Sequence, residues 1–214
     1  MKARPAVIVL AAGRGSRFGG TGHKLAQGLA NSTVLGTTLR QAVASQLPVV
    51  VVTTEVLVAL ASRYVASRDV VVLPPADGAT DAPLGMGYSI AAGVAARAHA
   101  PGWLVLPGDM PLVQPATLQA VARHLADHPV AYAQHRGRRG HPVGFAAELY
   151  SELMVLSGDE GARRLLARYP AMPVEVDDPG VLVDVDTEAD LQDLRDIAAA
   201  APHGAASPGV SPPG

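Results

Sequence analysis

Short runs of apolar residues recur along the chain, and each has the length and composition of a strand that is buried on both faces. Valine, isoleucine and leucine follow one another in these runs almost without interruption, as they do in parallel sheets that helices cover on both sides. Strands are therefore predicted at residues 7–10, 48–53, 69–73, 103–106, 130–134 and 181–185.

Stretches that are typical of helices separate these runs. Helices are predicted at residues 37–45, 56–65 and 86–97, from about Pro115, and after Thr187. Strands that alternate with helices indicate a three-layer α/β/α architecture with a mostly parallel sheet, which binds its ligands at the carboxyl ends of the strands. We expect one domain over residues 1–200 and a disordered Pro/Gly-rich tail at residues 201–214.

The amino-acid composition argues against nucleic acid and membranes as binding partners. The 214 residues carry a formal net charge of −2 and include no cysteine. A nearly balanced charge gives no electrostatic footprint for nucleic acid or an anionic membrane, and a chain without cysteine has neither a thiolate nucleophile nor a disulfide. The apolar stretch near the N-terminus is too short to span a bilayer. We therefore expect a cytoplasmic protein with no nucleic-acid partner and no membrane partner.

A glycine-rich loop follows the first predicted strand directly. Residues 11–20 read AAGRGSRFGG, and Lys24 follows shortly after them. Backbone N–H groups that no side chain shields, next to two arginines and a lysine, suit a polyphosphate. The loop is not a P-loop, because His23 separates Gly22 from Lys24. It is not a dinucleotide fingerprint either, because Phe18 occupies the position of the third glycine. An ordinary glycine-rich turn remains the alternative.

An acidic residue follows the fourth predicted strand. Asp109 stands in the segment PGDMP, at residues 107–111, where a side chain would project into the same crevice as the N-terminal loop. Mg²⁺ prefers carboxylate oxygens and completes its coordination with water and substrate phosphates. Asp109 is therefore the best single candidate for a metal ligand. The alternative is that Asp109 caps a turn, or the helix from about Pro115.

A second acidic segment, VDVDT at residues 183–187, lies near the end of the last predicted strand. Two carboxylates two residues apart in a strand point to one face, so either Asp184 or Asp186 could complete a Mg²⁺ site with Asp109. Thr187 could act as the N-cap of the final helix, with Asp190 three residues on as in a capping box. The alternative is that Asp186 itself caps the helix and Asp184 is solvated.

Together these motifs resemble the MobA-like nucleotidyltransferases. The loop LAAGRGSRFG at residues 10–19 with the following Lys24, and Asp109 in LPGDMP, carry the resemblance. Further segments are similar to the molybdenum cofactor cytidylyltransferase branch: GMGYSI at 85–90, GHPVGF at 140–145, GDEGAR at 158–163 and DVDT at 184–187. The matching motifs run in order from about residue 7 to residue 194.

The resemblance implies a Rossmann-like nucleotidyltransferase fold and a Mg²⁺-dependent reaction. CMP would pass from CTP to the terminal phosphate of molybdopterin, the organic part of the molybdenum cofactor, with release of pyrophosphate and formation of molybdopterin cytosine dinucleotide. In the family, basic residues of the loop neutralise the triphosphate, which implies catalytic roles for Arg17 and Lys24. The Asp of the LxxDMP segment binds Mg²⁺, which implies Asp109, with Asp186 as its partner. A recipient molybdoenzyme would be a further partner.

The resemblance also implies two binding surfaces. The nucleotide would contact the loop and the start of the third helix, at Leu10, Ala11, Ala12, Gly13, Gly15, Ser16, Gly85, Met86 and Ser89. The acceptor would contact His141 and Pro142 in a basic loop. From the residues alone, Ser89 serves equally well as a first-turn helix cap, and the basic loop as a solvated surface.

The identities of the base and of the acceptor stay open. Ala12 stands where the guanylyl branch more often has glycine, and its methyl group could crowd a purine, which favours CTP over GTP. A nucleotidyltransferase that uses GTP or another phosphorylated acceptor is one alternative, and a non-catalytic cofactor carrier is another. A carrier has no need of a complete metal site, so the acidic and basic residues together favour an enzyme.

Overall fold

A seven-stranded sheet forms the centre of the computed structural model, which describes residues 3–13, 18, 22–74, 85–158 and 161–200, with side chains to residue 197. Its strands are β1 Ala6–Ala11, β4 Val49–Thr54, β5 Val70–Leu73, β6 Gly102–Pro107, β7 Val130–His135, β8 Arg138–Ala146 and β9 Ala171–Glu175. Two short strands, β2 Gly28–Leu29 and β3 Ser32–Thr33, form a separate hairpin. The order in the sheet is β5-β4-β1-β6-β8-β7-β9, and β8 runs antiparallel to both of its neighbours. The predicted mostly parallel sheet is confirmed.

Helices cover both faces of this sheet. They are α1 Val34–Ala44, α2 Glu55–Ala61, α3 Met86–Ala96, α4 Pro115–His124, α5 Tyr150–Met154, α6 Arg163–Arg168 and α7 Glu188–Ala200. One apolar cluster joins the sheet to α1, α2, α4 and α7, and a second joins it to α3, α5 and α6. The three-layer α/β/α architecture is therefore confirmed.

Strand β1 shows why the apolar runs are continuous. Val7 and Val9 belong to the first cluster and Ile8 to the second, and all three are fully buried. Successive side chains of a strand point to opposite faces, so a strand covered on both sides needs an apolar residue at every position. Each such side chain contributes about 1.5–3 kcal/mol by leaving water. The core thus fixes β1 and places its carboxyl end beside the ends of β4 and β6.

One predicted strand is wrong. Residues 181–185 do not pair with the sheet: Pro179–Leu182 form a 3-10 helix, and an irregular extended segment follows it. The apolar segment nevertheless contributes to the core, because Val181 and Val185 are both fully buried. These two side chains pack in the first apolar cluster, but their backbone does not pair with a neighbouring strand. The apolar sequence therefore indicates burial here and not a strand of the sheet.

Besides the short hairpin strands β2 and β3, two strands of the main sheet were not predicted, and both contain proline. In β8, Pro142 lies opposite an irregularity of register in β7 between Tyr132 and Gln134. In β9, which lies at one edge of the sheet, Pro173 occupies the middle of the strand. Proline lacks an N–H and is tolerated in sheets at bulges and edges, so its presence lowered the strand signal without excluding a strand.

Other expectations concern the ends of elements and the tail. Helix α2 ends at Ala61 rather than at residue 65, whereas α1 and α3 lie close to their predicted positions. Among the described residues, no helix is both long and apolar enough to cross a membrane. The tail predicted at residues 201–214 lies outside the described residues.

Candidate active site

Lys24 joins two acidic segments that are far apart in the sequence. Its Nζ donates to Asp109 Oδ2 at 2.8 Å and to Asp186 Oδ1 at 3.0 Å. The Lys24 side chain is only 10% exposed, and the side chains of Asp109 and Asp186 are 19% and 31% exposed. Three of the residues that were expected to carry the chemistry therefore meet at one point.

A short 3-10 helix, Lys24–Ala26, holds the lysine in place. His23 caps this helix: its Nδ1 accepts a hydrogen bond from Leu25 N at 3.2 Å, and its carbonyl accepts one from Ala26 N at 2.9 Å. Leu25 anchors the turn in the first apolar cluster. Burial lowers the pKa of His23, and the Lys24 charge acts in the same direction against a weaker raising effect of the Gly13 backbone. The ring is therefore kept neutral and able to accept.

The turn after β6 places Asp109. Gly108 N donates to Leu10 O at 2.8 Å, and Thr38 Oγ1 donates to Gly108 O at 2.9 Å, so the turn is bonded to both β1 and α1. A side chain at Gly108 would meet Leu10 O at 2.8 Å, which is closer than real contacts allow. Asp109 does not cap α4, so the alternative of a helix cap is wrong, and its carboxylate is directed to Lys24 instead.

The start of α7 places Asp186. Thr187 Oγ1 accepts from Asp190 N at 3.2 Å, and Thr187 N donates to Asp190 Oδ2 at 2.7 Å, which is the predicted capping box. Asp186 is thus not the capping residue. Asp184 is more than one third exposed, and the two residues do not lie in a strand, so the reason given for their sharing a face was wrong.

The charges of the cluster reinforce one another. Burial alone would lower the pKa of Lys24, but the hydrogen bonds and charges of Asp109 and Asp186 outweigh it and raise that pKa above its ordinary value. Partial burial, and then the carboxylates of Asp186 and Asp109, raise the pKa of Asp184. Lys24 is therefore firmly cationic, and the charges of three carboxylates of the described residues act on it.

The donor set fits a hard divalent cation that a substrate helps to bind. Within the described ranges, no three His, Cys, Asp or Glu side chains are grouped so as to hold a metal by themselves. Mg²⁺, however, usually takes only one or two carboxylates and completes its shell with water and substrate phosphates. Asp109 and Asp186, which already converge on one cation, are the residues that could hold it.

The predicted nucleotide-binding residues are partly placed. Leu10 and Ala11 end β1, and Ala12 and the exposed Gly13 follow at the carboxyl edge of the sheet. Leu10 and Ala12 pack against the second cluster, on the side of α3. Arg17, Gly15 and Ser16 lie outside the described residues.

The start of α3 offers fewer free N–H groups than the sequence suggested. Gly85 is the N-cap with a φ of 22°, and a side chain there would meet the Gly158 backbone at 2.1 Å. Gly87 N donates to Gly158 O at 2.9 Å, so this group is already used. Met86 is exposed, whereas Ser89 is buried and makes no capping bond at the helix start.

The predicted acceptor-binding residues do not lie in a loop. His141 and Pro142 are part of β8, because the turn of the β7–β8 hairpin comes earlier, at Arg136 and Gly137, both with positive φ. Val143 pairs with Val105, and His141 precedes Val143 by two residues. Because β8 runs antiparallel to β6, His141 lies beside the carboxyl end of β6.

The His141 ring is unusual among the described polar groups. Its Nδ1 is shielded from solvent and has no hydrogen-bond partner among the described residues. Burial lowers the pKa of His141 below its ordinary value, against weaker opposing effects of the Val105 backbone and of two nearby carboxylates. These carboxylates are Asp109 and Asp184, so the neutral ring faces the acidic cluster.

Sequence reasoning missed two residues that support the site. His23 was read only as an interruption between Gly22 and Lys24, yet it caps the turn that carries the lysine. Asp178 was not singled out, although it is a buried carboxylate that accepts three hydrogen bonds. The turn signal Asp-Pro-Gly that it begins was visible in the sequence, but two of its three partners lie more than sixty residues away.

Comparisons with known proteins identify the family and the fold. Purine catabolism protein PucB from Bacillus subtilis (strain 168) is 32% identical over 120 residues, which are 54% of this chain and 58% of PucB. The chain thus matches less than two thirds of that relative. Rv0371c from Mycobacterium tuberculosis H37Rv has 28% identity and a TM-score of 0.75, over 90% of this chain and 98% of that chain. A structure of Rv0371c in complex with manganese has 27% identity and a TM-score of 0.74, over 92% and 100%.

A nucleotidyl transferase from Methanothermobacter has 28% identity and a TM-score of 0.73, over 91% of this chain and 97% of that chain. The family described as the MobA-like NTP transferase domain matches residues 7–174, a range that includes Lys24 and Asp109 and ends before Asp186. The chain therefore belongs to the MobA-like NTP transferase domain family and has the fold of its nucleotidyltransferases.

Proposed function

We propose that this protein transfers CMP from CTP to the terminal phosphate of molybdopterin in the molybdenum cofactor. The observation that carries the proposal is the contact of Lys24 with Asp109 and Asp186 at the carboxyl edge of the sheet. The cytidylyl branch is favoured by the motifs at residues 85–90, 140–145, 158–163 and 184–187.

The transfer needs positioning and charge neutralisation more than a side-chain nucleophile. An oxygen of the acceptor phosphate attacks the α-phosphorus of CTP and forms a new phosphorus–oxygen bond. The bond from the α-phosphorus to the bridging oxygen breaks, and pyrophosphate leaves with the electron pair. Because the attacking phosphate is already an anion, no strong general base is required.

Lys24 and the end of β1 supply the positive charge and the donors on this chain. The Lys24 ammonium is held by two carboxylates, so its position is fixed before a triphosphate arrives. Preorganised donors of this kind stabilise developing charge without having to reorganise during the reaction. Arg17, which lies outside the described residues, would add a second cation from the same loop.

Asp109 and Asp186 would hold Mg²⁺ or Mn²⁺, a proposal that the manganese complex of Rv0371c supports by its similarity to this chain. A bound divalent cation would neutralise phosphate charge. The carboxylates themselves keep Lys24 fixed and set the net charge of the site. The neutral His141 ring, with its unpartnered Nδ1, would receive the acceptor.

A different base or acceptor is the second candidate function. PucB, the purine catabolism protein, shares 32% identity with part of this chain, so members of this fold family are associated with processes other than the one proposed here. The reaction would have the same form, with GTP or another phosphorylated acceptor. The Lys24 cluster serves either substrate equally, because it addresses phosphates and not the base.

Pyrophosphate release with each of CTP, GTP, ATP and UTP tests the proposal, with Mg²⁺ and purified molybdenum cofactor present. We expect release with CTP, and a loss of about 100-fold or more in kcat/KM for Asp109→Asn. Asp127→Asn, at an exposed carboxylate beyond α4, is the matched control and should leave kcat/KM unchanged.

The other outcomes separate the alternatives. Release with another nucleotide would overturn the choice of CTP, and an Ala12→Gly variant would then show whether the methyl group sets that choice. Release only with a different phosphorylated acceptor would replace the molybdenum cofactor. Tight nucleotide binding without release under any condition would favour a carrier.

A further inference from the structure

Asp178 ties together the two segments that carry the acidic residues. Asp178 is only 2% exposed. Oδ2 accepts from Gln114 N at 2.9 Å and from Thr117 Oγ1 at 2.6 Å, and Oδ1 accepts from Gly180 N at 3.0 Å. Both carboxylate oxygens are therefore satisfied, as a buried charge requires.

These bonds attach a distant part of the chain to the start of α4. Gln114 is the N-cap residue of α4, and its own side chain makes no capping bond. Asp178 accepts from the Gln114 N–H and from the Thr117 hydroxyl in the first turn, where the helix dipole also favours a carboxylate. Because the short segment from Asp109 leads directly into Gln114, the same bonds fix one end of the loop that bears Asp109.

The two segments touch again at Gly180. A side chain at this position would meet Leu112 O at 2.4 Å and Leu112 C at 2.5 Å, so the two backbones are in direct contact. Val185 N then donates to Asp109 O at 3.0 Å, and Val185 is fully buried. Three contacts thus join the two segments in order along the chain: the hydrogen bonds of Asp178, the packing of Gly180 on Leu112, and the hydrogen bond of Val185, which precedes Asp186.

We propose that Asp178 is a positioning residue that holds Asp186 at the distance from Asp109 at which both carboxylates share one cation. Its hydrogen bonds go to Gln114, Thr117 and Gly180 and not to Lys24, so it acts through the segment from Gly180 to Val185. This inference rests on the proposed metal-binding role of Asp109 and Asp186.

Both oxygens of Asp178 must accept hydrogen bonds, so an amide of the same shape cannot replace the carboxylate. In an Asp178→Asn variant, one carboxylate oxygen becomes an NH₂ group, which would face a backbone N–H or a hydroxyl that also donates. One buried donor then loses its acceptor, and the segments separate or rotate to relieve the mismatch. The displacement is transmitted to Asp186 because the intervening residues are packed on Leu112 and in the core.

Binding of Mn²⁺ to the purified full chain tests the proposal, measured from the electron paramagnetic resonance signal of unbound Mn²⁺. We expect Asp178→Asn to raise the Kd for Mn²⁺ about 10- to 100-fold, the range found for groups that orient metal ligands. Thr117→Val removes one of the three donors at nearly constant volume and should raise the Kd less. In an Asp186→Asn background, Asp178→Asn should cause no further rise.

Ser45→Ala is the control for a loss of stability alone. Ser45 is buried at the end of α1, where its Oγ donates to Ala42 O and accepts from Leu47 N. This variant should unfold more easily and bind Mn²⁺ as the wild type does. If Asp178→Asn does the same, the proposal is overturned while the metal site stands. If Asp178→Asn does not fold, an unchanged Kd in Thr117→Val overturns it.

A wild-type protein that binds no Mn²⁺, either alone or with inorganic pyrophosphate to complete the metal shell, would overturn the proposed metal site and the role of Asp178 with it. That result differs from every result above, because those all begin from measurable wild-type binding. The titration needs neither CTP nor the acceptor. A wrong assignment of the nucleotide therefore leaves this test intact.

Discussion

Lys24 has two functions that draw on the same charge. It neutralises Asp109 and Asp186, which would otherwise repel each other, and in the proposed reaction it would present an ammonium group to an incoming phosphate. A divalent cation at these carboxylates would compete with Lys24 for the same oxygens. Binding of the metal and of the nucleotide should therefore be coupled, because phosphate groups give Lys24 an alternative partner.

Lys24→Met tests this coupling at the level of one residue. The variant keeps most of the apolar stem and leaves both carboxylates without their ammonium, so without metal it should be about 1–3 kcal/mol less stable, a range reduced for the partial exposure of Asp186. Mn²⁺ should stabilise the variant more than the wild type in urea unfolding. Arg40→Met, at an exposed cation of α1, should change neither quantity. Equal stabilisation of variant and wild type by Mn²⁺ would refute the competition.

The sequence predicted residues of this site well where local chemistry decides the position. Lys24 and Asp109 were predicted because they follow a glycine-rich loop and a strand, Asp186 was predicted from the family resemblance, and the structure brings the three into contact. Asp178 was beyond such reasoning, since its partners at Gln114 and Thr117 depend on tertiary packing.

At the level of elements, α7 connects the acidic segment to the core. Leu191 and Leu194 bury the helix in the first cluster, and the capping box of Thr187 and Asp190 fixes where the helix begins. Asp190 Oδ2 also accepts from Asp186 N at 3.1 Å. The position of Asp186 thus depends on the helix start as well as on Asp178.

Thr187→Ala removes the hydroxyl of this capping box. We expect a loss of about 1 kcal/mol in the free energy of unfolding, because one N–H at the start of α7 loses its acceptor. Thr187→Ser should restore the stability. Thr37→Ala, inside α1, is the matched control and should change stability by less than about 0.5 kcal/mol. Urea unfolding measures all three variants, and an equal loss in both alanine variants would argue against a specific cap.

Element prediction failed where polarity and proline concealed a strand. Arg138 and Arg139 made the start of β8 look like a solvated loop, but Arg139 lies over the Tyr132 ring at 5.7 Å from its centroid, on the neighbouring strand. A cation can pack on an aromatic face while its charge stays in water, so basic residues do not exclude a strand. The parallel strands were predictable because burial on both faces leaves an uninterrupted apolar run.

For the whole molecule, titration of buried histidines couples global stability to pH. Burial lowers the pKa of both His23 and His141 in the folded protein, whereas a histidine in the unfolded chain titrates near its ordinary value of about 6.5. As the pH falls through this value, the unfolded chain binds protons that the folded protein does not. The free energy of unfolding must then decrease as the pH falls and increase as it rises.

The other shifted groups at the site act in different pH windows. The raised pKa of Lys24 adds stability that persists until the pH rises through that value, well above neutrality. The pKa of Asp184 is raised, so its charge costs stability in the folded protein and protonation relieves that cost. The effect on stability has the opposite sign to that of the histidines, and it occurs in the acidic range, near and above pH 3.8. Between pH 5.5 and 7.5 the two histidines therefore dominate among these groups.

Urea unfolding across this interval gives the last prediction. Wild-type stability should fall steadily from pH 7.5 to pH 5.5, His23→Gln and His141→Gln should each reduce the slope, and the double variant should reduce it further. The exposed His99, replaced by glutamine, is the control and should leave the slope as it is. A slope that survives in the double variant would locate the acid sensitivity elsewhere. The effect belongs to the whole molecule because His23 caps the Lys24 turn and His141 lies beside the end of β6, so protonation of either ring weakens the assembly of loop, sheet and acidic segment together.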